Sequence, residues 1–150
     1  MREILFRGQT RKKGQKVWMD GTPVDGQWVY GGVTQGIGDF SIIYGGKNAN
    51  DPSEGLEKWC VYTDTLGQFT GLTDKNGKKI FEGDVVRCIS MTDMAYMVVI
   101  FEDGEFRMVL CEKYKDYIPG CGFYAIRCFD KEIIGNIHDN PELLGGAEDA

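Results

Sequence analysis

The stretch Asp74-Lys-Asn-Gly-Lys-Lys-Ile-Phe-Glu-Gly-Asp84, followed by Val85-Val-Arg-Cys-Ile89, decides the fold class of the second half of this chain. The Asn76-Gly77 pair favours a hairpin turn of type I′, because both residues tolerate a positive φ. In Glu82-Gly83-Asp84 a glycine again permits a sharp turn. A run of apolar and β-branched residues follows, which is typical of a strand. The stretch therefore predicts strands entered through tight turns.

Four further apolar runs continue this pattern toward the C-terminus. Phe106, Met108 and Leu110 recur at every second position, with Arg107 between the first two, which is the period of a half-buried strand. Five short strands joined by glycine turns favour a small closed barrel of SH3 type, since an open sheet would leave long edges exposed. With Val85 to Ile89, the predicted strands of this barrel are Met97–Phe101, Phe106–Leu110, Phe123–Cys128 and Ile133–Ile137.

We therefore predict an all-β protein with an SH3-like barrel and C-terminal tail over residues 73–150 and an additional β-rich part over residues 1–72. Asn140 followed by Pro141 is a helix-start signal and predicts at most one or two helical turns. Arg7-Gly-Gln9 is predicted to lead from the first strand into a polar, basic turn. The glycine-rich run Gly31–Gly38 lacks a P-loop lysine and predicts a flexible hairpin or a loop. Strands are predicted at Ile4–Phe6, Lys16–Met19, Gln27–Tyr30, Phe40–Tyr44 and Trp59–Tyr62.

The composition is that of a globular cytosolic protein. Of the 150 residues 42% are hydrophobic, and no apolar run reaches the roughly 20 residues that cross a bilayer. The N-terminal stretch has no apolar run of signal-peptide length. The five cysteines are odd in number and lack C-x-x-C spacing, so we expect buried thiols in a reducing compartment rather than a disulfide framework. We predict the cytoplasm as the location.

Charge is distributed unevenly along the chain. The formal net charge is −6, yet residues 1–16 carry six basic groups against one acid. Arg11, Lys12 and Lys13 in this stretch are weak candidates for binding nucleic acid, with Phe6 and Trp18 nearby as stacking groups. The acidic remainder of the chain repels phosphates. A solvated hairpin is therefore the favoured interpretation of the basic stretch.

Three parts of the chain resemble one family. Arg2-Glu-Ile-Leu-Phe-Arg-Gly8 with Trp28-Val-Tyr-Gly31 is similar to the opening of YopX-like proteins, which bacteriophages and prophages encode. Thr65-Leu-Gly-Gln-Phe-Thr-Gly-Leu72, running into Asp74 to Asp84, resembles the central block of that family. Glu132-Ile-Ile-Gly-Asn-Ile-His-Asp-Asn-Pro-Glu-Leu-Leu144 resembles its closing block. The resemblance implies a phage origin, and with it the cytoplasm of a bacterial host cell as the location. It also implies an SH3-like barrel in the second half. It brings no established activity.

No set of residues indicates catalysis. His138 is the single histidine, and no cysteine or acid stands beside it at metal-ligand spacing. A Cys–His pair would also need an orienting third group, which the sequence does not identify. Glu82 and Asp84 flank a glycine in a turn, where two acids seldom oppose each other across a substrate. We predict that the chain is not an enzyme and binds no metal or cofactor.

Two segments remain as binding candidates. In Gly67-Gln-Phe-Thr-Gly71, Gln68 and Thr70 could bond strand ends or a ligand around Phe69, although a structural role is favoured. Three methionines in Met91-Thr-Asp-Met-Ala-Tyr-Met97 either form an edge that binds a partner or cap the barrel. We predict a non-enzymatic protein-binding or oligomeric assembly module, with self-association or a host or phage protein as partner. The alternative is a nucleic-acid-binding accessory protein.

Overall fold

The computed structural model describes residues 3–15, 26–89 and 94–149. The predicted all-β class is confirmed, with 54% of residues in strands, one short helix and two sheets. The chain divides into two compact units, Met1–Gly71 and Leu72–Ala150. The predicted strand Lys16–Met19 lies outside the described residues.

The first unit is built on an antiparallel sheet with the strand order β4-β3-β2-β1-β5. Its core lies on one face, where Val29, Ile43 and Val61 are buried side by side on neighbouring strands. A single 3₁₀ turn at Thr63–Thr65 leads into the last strand. The strands are β1 (Phe6–Arg11), β2 (Gln27–Ile37), β3 (Phe40–Gly46), β4 (Glu57–Tyr62) and β5 (Gly67–Thr73).

Of the hairpin and the loop predicted over Gly31–Gly38 the hairpin is confirmed, because β2 continues through Gly31 to Ile37 and the chain turns back into β3 at Phe40. Glycine is needed there for close approach of two backbones. A Cβ on Gly31 would collide with the carbonyl oxygen of Tyr44, and a Cβ on Gly45 would collide with that of Tyr30. These glycines allow β2 and β3 to lie at short range, so they mark a strand pair and not a flexible segment.

Strand β1 runs through Arg7–Gln9 to Arg11, and the turn that these residues were predicted to lead into follows at residues 13–14. Gly8 faces the core, where an added Cβ would come within 2.9 Å of Val61 Cγ2. Gln9 is fully buried, and its backbone N–H donates to Thr65 Oγ1 at 2.8 Å. This hydrogen bond ties the buried strand to the 3₁₀ turn at Thr63–Thr65.

The second unit contains a five-stranded antiparallel sheet with the order β10-β9-β8-β7-β11. Each of the five strands predicted for this half has a counterpart, although the one predicted over Phe123–Cys128 ends at Ala125, and the short strand β6 precedes them. Strand β11 pairs with β7, the first strand of this sheet in chain order. The two edge strands β10 and β11 do not pair with each other within the described residues, so a closed SH3-like barrel is not confirmed. The strands are β6 (Lys79–Phe81), β7 (Asp84–Ile89), β8 (Met94–Glu102), β9 (Glu105–Leu110), β10 (Phe123–Ala125) and β11 (Asp130–Asn136).

Both faces of this second sheet are covered. One face, here called the Met108 face, packs Met108 with Val86 and Met97. The opposite face, here called the Val98 face, packs Val98 with Val85 and is covered by two short helical pieces. These pieces are the helix α1 (Cys111–Tyr114) and a 3₁₀ segment at Pro141–Asp149, which contributes Leu143. Helical structure therefore forms after Asn140 as predicted, with 3₁₀ geometry, but its nine residues make about three turns, more than the one or two expected.

Candidate functional site

Strand β8 is longer than its neighbour β9, and this difference creates the candidate site. Met97 pairs with Leu110, which is the last residue of β9. The chain then leaves the sheet because Cys111 begins α1. Ala95 and Tyr96 pair with β7 on one side, and no described strand lies opposite them on the β9 side.

A groove of about 880 Å³ lies at this position and is formed entirely by the second unit. Its walls come from both faces of the sheet. Cys88, Met97 and Tyr124 line it on the Met108 face, whereas Cys111 and Leu143 line it on the Val98 face. Tyr124 belongs to the first group because it pairs directly with Met108.

Large apolar side chains are exposed around the groove. Met94 is 51% exposed and Tyr96 is 47% exposed, and both stand on the end of β8 that extends beyond β9. Across the groove Tyr124 and Phe129 are 40% and 39% exposed, with ring centroids 6.1 Å apart. Such a cluster is typical of a surface that contacts another molecule, since exposed large apolar groups are normally scattered.

Phe129 adopts a backbone conformation that bulky residues avoid. Its φ is +67°, in the left-handed region that costs a non-glycine residue roughly 1 kcal/mol or more. Lys131 helps to hold this conformation, because its ammonium donates to the Phe129 carbonyl at 3.0 Å. Burial lowers the pKa of Lys131 below its ordinary value. The strained turn places the aromatic ring at the groove wall.

The charged side chains at the groove are mainly acidic. Glu112 and Glu142 are exposed, and neither forms an ion pair with a described residue. Arg87 is already bound to Glu132, with an N–O distance of 3.0 Å. The second unit carries nine basic and fifteen acidic residues, a net charge of −6, whereas the first unit has eight of each and is neutral. The groove therefore lies in the unit that carries the net negative charge.

The thiols at the groove are unreactive. Cys88 and Cys111 are both 2% exposed, and burial raises the pKa of Cys111 to about 11. Burial also raises the pKa of Cys88. A thiol in this state is neutral at physiological pH and acts as a small hydrophobic side chain. The expectation of buried cysteines is correct for these two and wrong for Cys60, Cys121 and Cys128, which are exposed.

Asp74, in the most recognisable stretch of the sequence, has a structural role. Its carboxylate is buried and accepts backbone N–H groups from Asn76 and Lys78 at 2.9 Å and from Ile133 at 3.0 Å. Burial raises its pKa, but these three hydrogen bonds outweigh burial and hold the pKa below its ordinary value. Gly77 has φ +81°, whereas Asn76 has no positive φ, so the predicted type I′ turn is wrong. The Asp74 side chain instead organises the turn and ties it to β11.

The other sequence candidates for chemistry also lie in turns. Asp84 is 2% exposed and accepts the N–H of Phe81 at 2.8 Å. The backbone N–H of His138 donates to Asn136 Oδ1 at 3.0 Å, which also accepts the N–H of Asp139. Over the described ranges no three His, Cys, Asp or Glu side chains gather as a metal site would require. Asp84 therefore lies where β7 begins, and Asn136 and His138 lie where β11 ends.

Comparison with known proteins identifies the family. The family model described as YopX protein matches residues 25–145. The chain belongs to the YopX protein family. No curated protein matches it. Among solved structures, it is similar to protein EF1440 from Enterococcus faecalis, with 20% identity, coverage of 96% of this chain and 99% of that chain, and a TM-score of 0.46. Within the described part of this YopX-family chain, no helix is long and apolar enough to cross a membrane.

The residues that the sequence singled out around the YopX central block lie in the first unit, outside the groove. Gln68, Phe69 and Thr70 are part of β5. Phe69 is 7% exposed and its N–H donates to the Leu5 carbonyl at 2.8 Å, while Gln68 pairs with Phe6. Phe69 therefore has a structural role in the sheet, and a ligand-binding role of Gln68 and Thr70 stays a prediction.

The basic stretch of the first unit is partly neutralised by its own neighbours. Arg11 and Lys13 are exposed. The ammonium of Lys12 lies 2.8 Å from Asp64 Oδ2 and 4.8 Å from the centre of the Tyr62 ring. Trp18, a stacking group in the nucleic-acid interpretation, lies outside the described residues.

Sequence reasoning missed two surfaces. One is the groove, although the interpretation of Met91–Met97 as a partner-binding edge pointed toward it. Both Met94 and Met97 line the groove, but Met94 is exposed whereas Met97 belongs to the core. The other is an exposed aromatic surface on the first unit, where Phe40 and Tyr44 are 49% and 48% exposed. The period-two pattern of Phe40–Tyr44 already placed these side chains on one face, and only the structure shows that this face is open.

Proposed function

We propose that this YopX-family chain is a non-enzymatic protein-binding module whose groove receives a segment of another protein. The observation that carries the proposal is the cluster of exposed apolar side chains around one groove in the second unit. Met94, Tyr96, Tyr124 and Phe129 surround it from both sides. Burying apolar area contributes about 25 cal/mol per Å², so an apolar segment placed there gains a large stabilisation.

The strain at Phe129 supports the same proposal. A residue in the left-handed region costs stability and persists where the surroundings hold it in place. Here the conformation with φ +67° presents an aromatic ring to solvent at 39% exposure. The solvent-exposed part of this side chain gains no stabilisation from burial in the fold. A partner that covers it supplies the missing stabilisation.

The proposal includes the setting in which the module acts. We propose a phage or prophage origin and action in the bacterial cytoplasm, on the basis of the resemblance to YopX-like proteins and of five free cysteines, which suit a reducing compartment. Self-association into an oligomer is included, because exposed sheet edges favour pairing between copies. An SH3-like barrel in the second unit is supported by the pairing of β11 with β7, which leaves one seam to close.

Substitution at the groove tests the protein-binding proposal. Affinity capture from the bacterial host identifies candidate partners, and the purified partner is then titrated with the intact chain. Tyr96→Ala should weaken binding at least tenfold, as expected for a buried aromatic anchor. Phe101→Ala is the matched control, because Phe101 is 49% exposed on the same strand and does not line the groove. Equal binding by wild type and Tyr96→Ala, or the absence of any partner, would contradict the proposal.

Nucleic-acid binding is the second candidate function, and the aromatic surface of the first unit favours it. Phe40 stacks near Tyr62, with ring centroids 5.2 Å apart, and the ammonium of Lys58 lies 5.7 Å from the Tyr44 ring. Exposed aromatic rings with adjacent cations can stack bases and contact phosphates. Single-stranded DNA should then bind in a salt-sensitive manner.

Two variants separate the parts of that second candidate. Tyr44→Ala should weaken DNA binding if the aromatic surface is the site. Neutralising Arg11, Lys12 and Lys13 together should weaken it if the basic stretch contributes, with a shallower salt dependence. The absence of measurable binding at low salt would exclude both.

A further inference from the structure

The end of β8 that extends beyond β9 has the properties of a site where another strand can be added. Leu110 is the last residue of β9 to pair with β8, opposite Met97. Beyond this pair the line that β9 occupied is continued by the groove, which Ala95, Tyr96 and Cys111 border. A strand edge presents backbone N–H and C=O groups on the side that has no neighbour. Backbone hydrogen bonding to a partner is therefore available at this position.

The two-sided shape of the groove matches a strand. Cys88 and Tyr124 line the side on the Met108 face, and Cys111 and Leu143 line the side on the Val98 face. Successive side chains of a strand point to opposite faces of a sheet. A strand lying in the sheet plane therefore fills both sides at once, whereas a helix packed on one face fills one.

The two sides differ in chemistry. The side on the Met108 face is lined by the thiol of Cys88 and by Tyr124 and Phe129, and it suits apolar side chains. The other side carries the exposed carboxylates of Glu112 and Glu142, which form no ion pair with any residue that the structure describes. Basic side chains are complementary to these carboxylates, and the net charge of −6 on the second unit attracts them from a distance.

We propose that the partner segment of this module binds as an added β-strand beside Ala95 and Tyr96, continuing the line of β9, and that it alternates apolar with basic residues. This inference rests on the proposed protein-binding function and specifies its mode and the chemistry of the partner. Main-chain hydrogen bonds supply affinity in such strand addition, and the alternating pockets supply specificity.

A synthetic peptide of alternating valine and lysine is the probe. It should bind the full chain, and a valine–glutamate peptide of equal length should not, because it places carboxylates against Glu112 and Glu142. N-methylation of alternate peptide amides should abolish binding, since it removes the backbone donors that a sheet requires. An isotope-labelled amide band of the bound valine–lysine peptide should move to the frequency of a β-sheet in infrared spectra.

Charge variants of the protein test the chemistry of the partner. Glu112→Gln with Glu142→Gln should weaken binding of the valine–lysine peptide about threefold to tenfold, the effect of two exposed charge pairs. The control is Asp39→Asn with Glu57→Gln, which changes the net charge equally at exposed positions of the first unit. The control should bind as the wild type does.

The outcomes distinguish this inference from the proposed function. Equal binding of the N-methylated peptide, or of the valine–glutamate peptide, would overturn strand addition or the basic partner, respectively. If no peptide binds while a captured protein still depends on Tyr96, the proposed function stands and this inference fails. Dimerisation that Tyr96→Ala abolishes, with no peptide binding, would identify a second copy as the occupant and overturn the basic partner segment.

Discussion

Replacing Asp74 by asparagine tests whether this buried carboxylate holds the second unit together. The carboxylate accepts three backbone N–H groups, two from its own turn and one from Ile133 on β11. Hydrogen bonds to a charged group contribute about 1.5–3 kcal/mol each. Asparagine keeps one carbonyl oxygen and turns its amide donors toward an N–H. We therefore expect Asp74→Asn to lower the free energy of unfolding by about 2–4 kcal/mol.

Chemical denaturation followed by tryptophan fluorescence and circular dichroism measures this loss. A shift of that size is a large part of the roughly 5–15 kcal/mol that stabilises an ordinary domain. Asp116→Asn is the matched control, because Asp116 is exposed, and its effect should stay within about 0.5 kcal/mol. If Asp74→Asn unfolds within that same margin of the wild type, the hydrogen bonds of Asp74 do not stabilise the unit and the reasoning is refuted.

The pH dependence of stability provides an independent test of Asp74. The folded-state pKa of this carboxyl is lowered, relative to about 3.9 in an unfolded chain. Its contribution is therefore fully present above the unfolded-state pKa and is lost as the pH falls through the folded-state pKa. Asp74→Asn should flatten the decline in stability below about pH 4. If the stability of the variant declines below about pH 4 as steeply as that of the wild type, the titration of Asp74 is not linked to folding.

Three further predictions follow from the described contacts. Gly31→Ala should destabilise the first unit by about 2 kcal/mol or more, measured by thermal melting, because the added Cβ collides with the Tyr44 carbonyl. Titration of the native chain with a thiol reagent should modify the three exposed cysteines rapidly, and Cys88 and Cys111 only after unfolding; rapid modification of all five would contradict their burial. Arg107→Met should lower the stability of the second unit in denaturant melts, because Arg107 is 9% exposed and bonds two glutamates at 2.8 and 2.6 Å.

The second sheet was predictable because its signals are local. Each strand is bounded by a turn whose residues define it, as at Asp103-Gly104, where both φ angles are positive. The period-two pattern of β9 also follows from the sequence alone. Closure of the sheet was not predictable in this way, because it depends on whether β10 and β11 meet, which no turn determines.

The first sheet and the groove depend on contacts between distant residues. A glycine run is equally compatible with a loop and with two backbones in close approach, and only the position of Tyr44 opposite Gly31 distinguishes them. The groove exists because β9 ends at Leu110 while β8 extends to Met94. Each strand is visible in the sequence, but their relative register is not. Gln68, Phe69 and Thr70 became candidates because they lie in a stretch that resembles the family, and such a resemblance can reflect packing alone.

The backbone at Phe129 has a consequence for how this chain can change. Glycine at this position would relax the turn, since glycine adopts a positive φ without steric penalty, and the folded chain would gain roughly 1 kcal/mol. The same replacement would remove one wall of the groove. Selection for thermal resistance alone therefore favours the loss of the phenyl ring, whereas selection on the partner favours keeping it. A laboratory evolution experiment that rewards only heat tolerance would reveal this conflict as a substitution at residue 129.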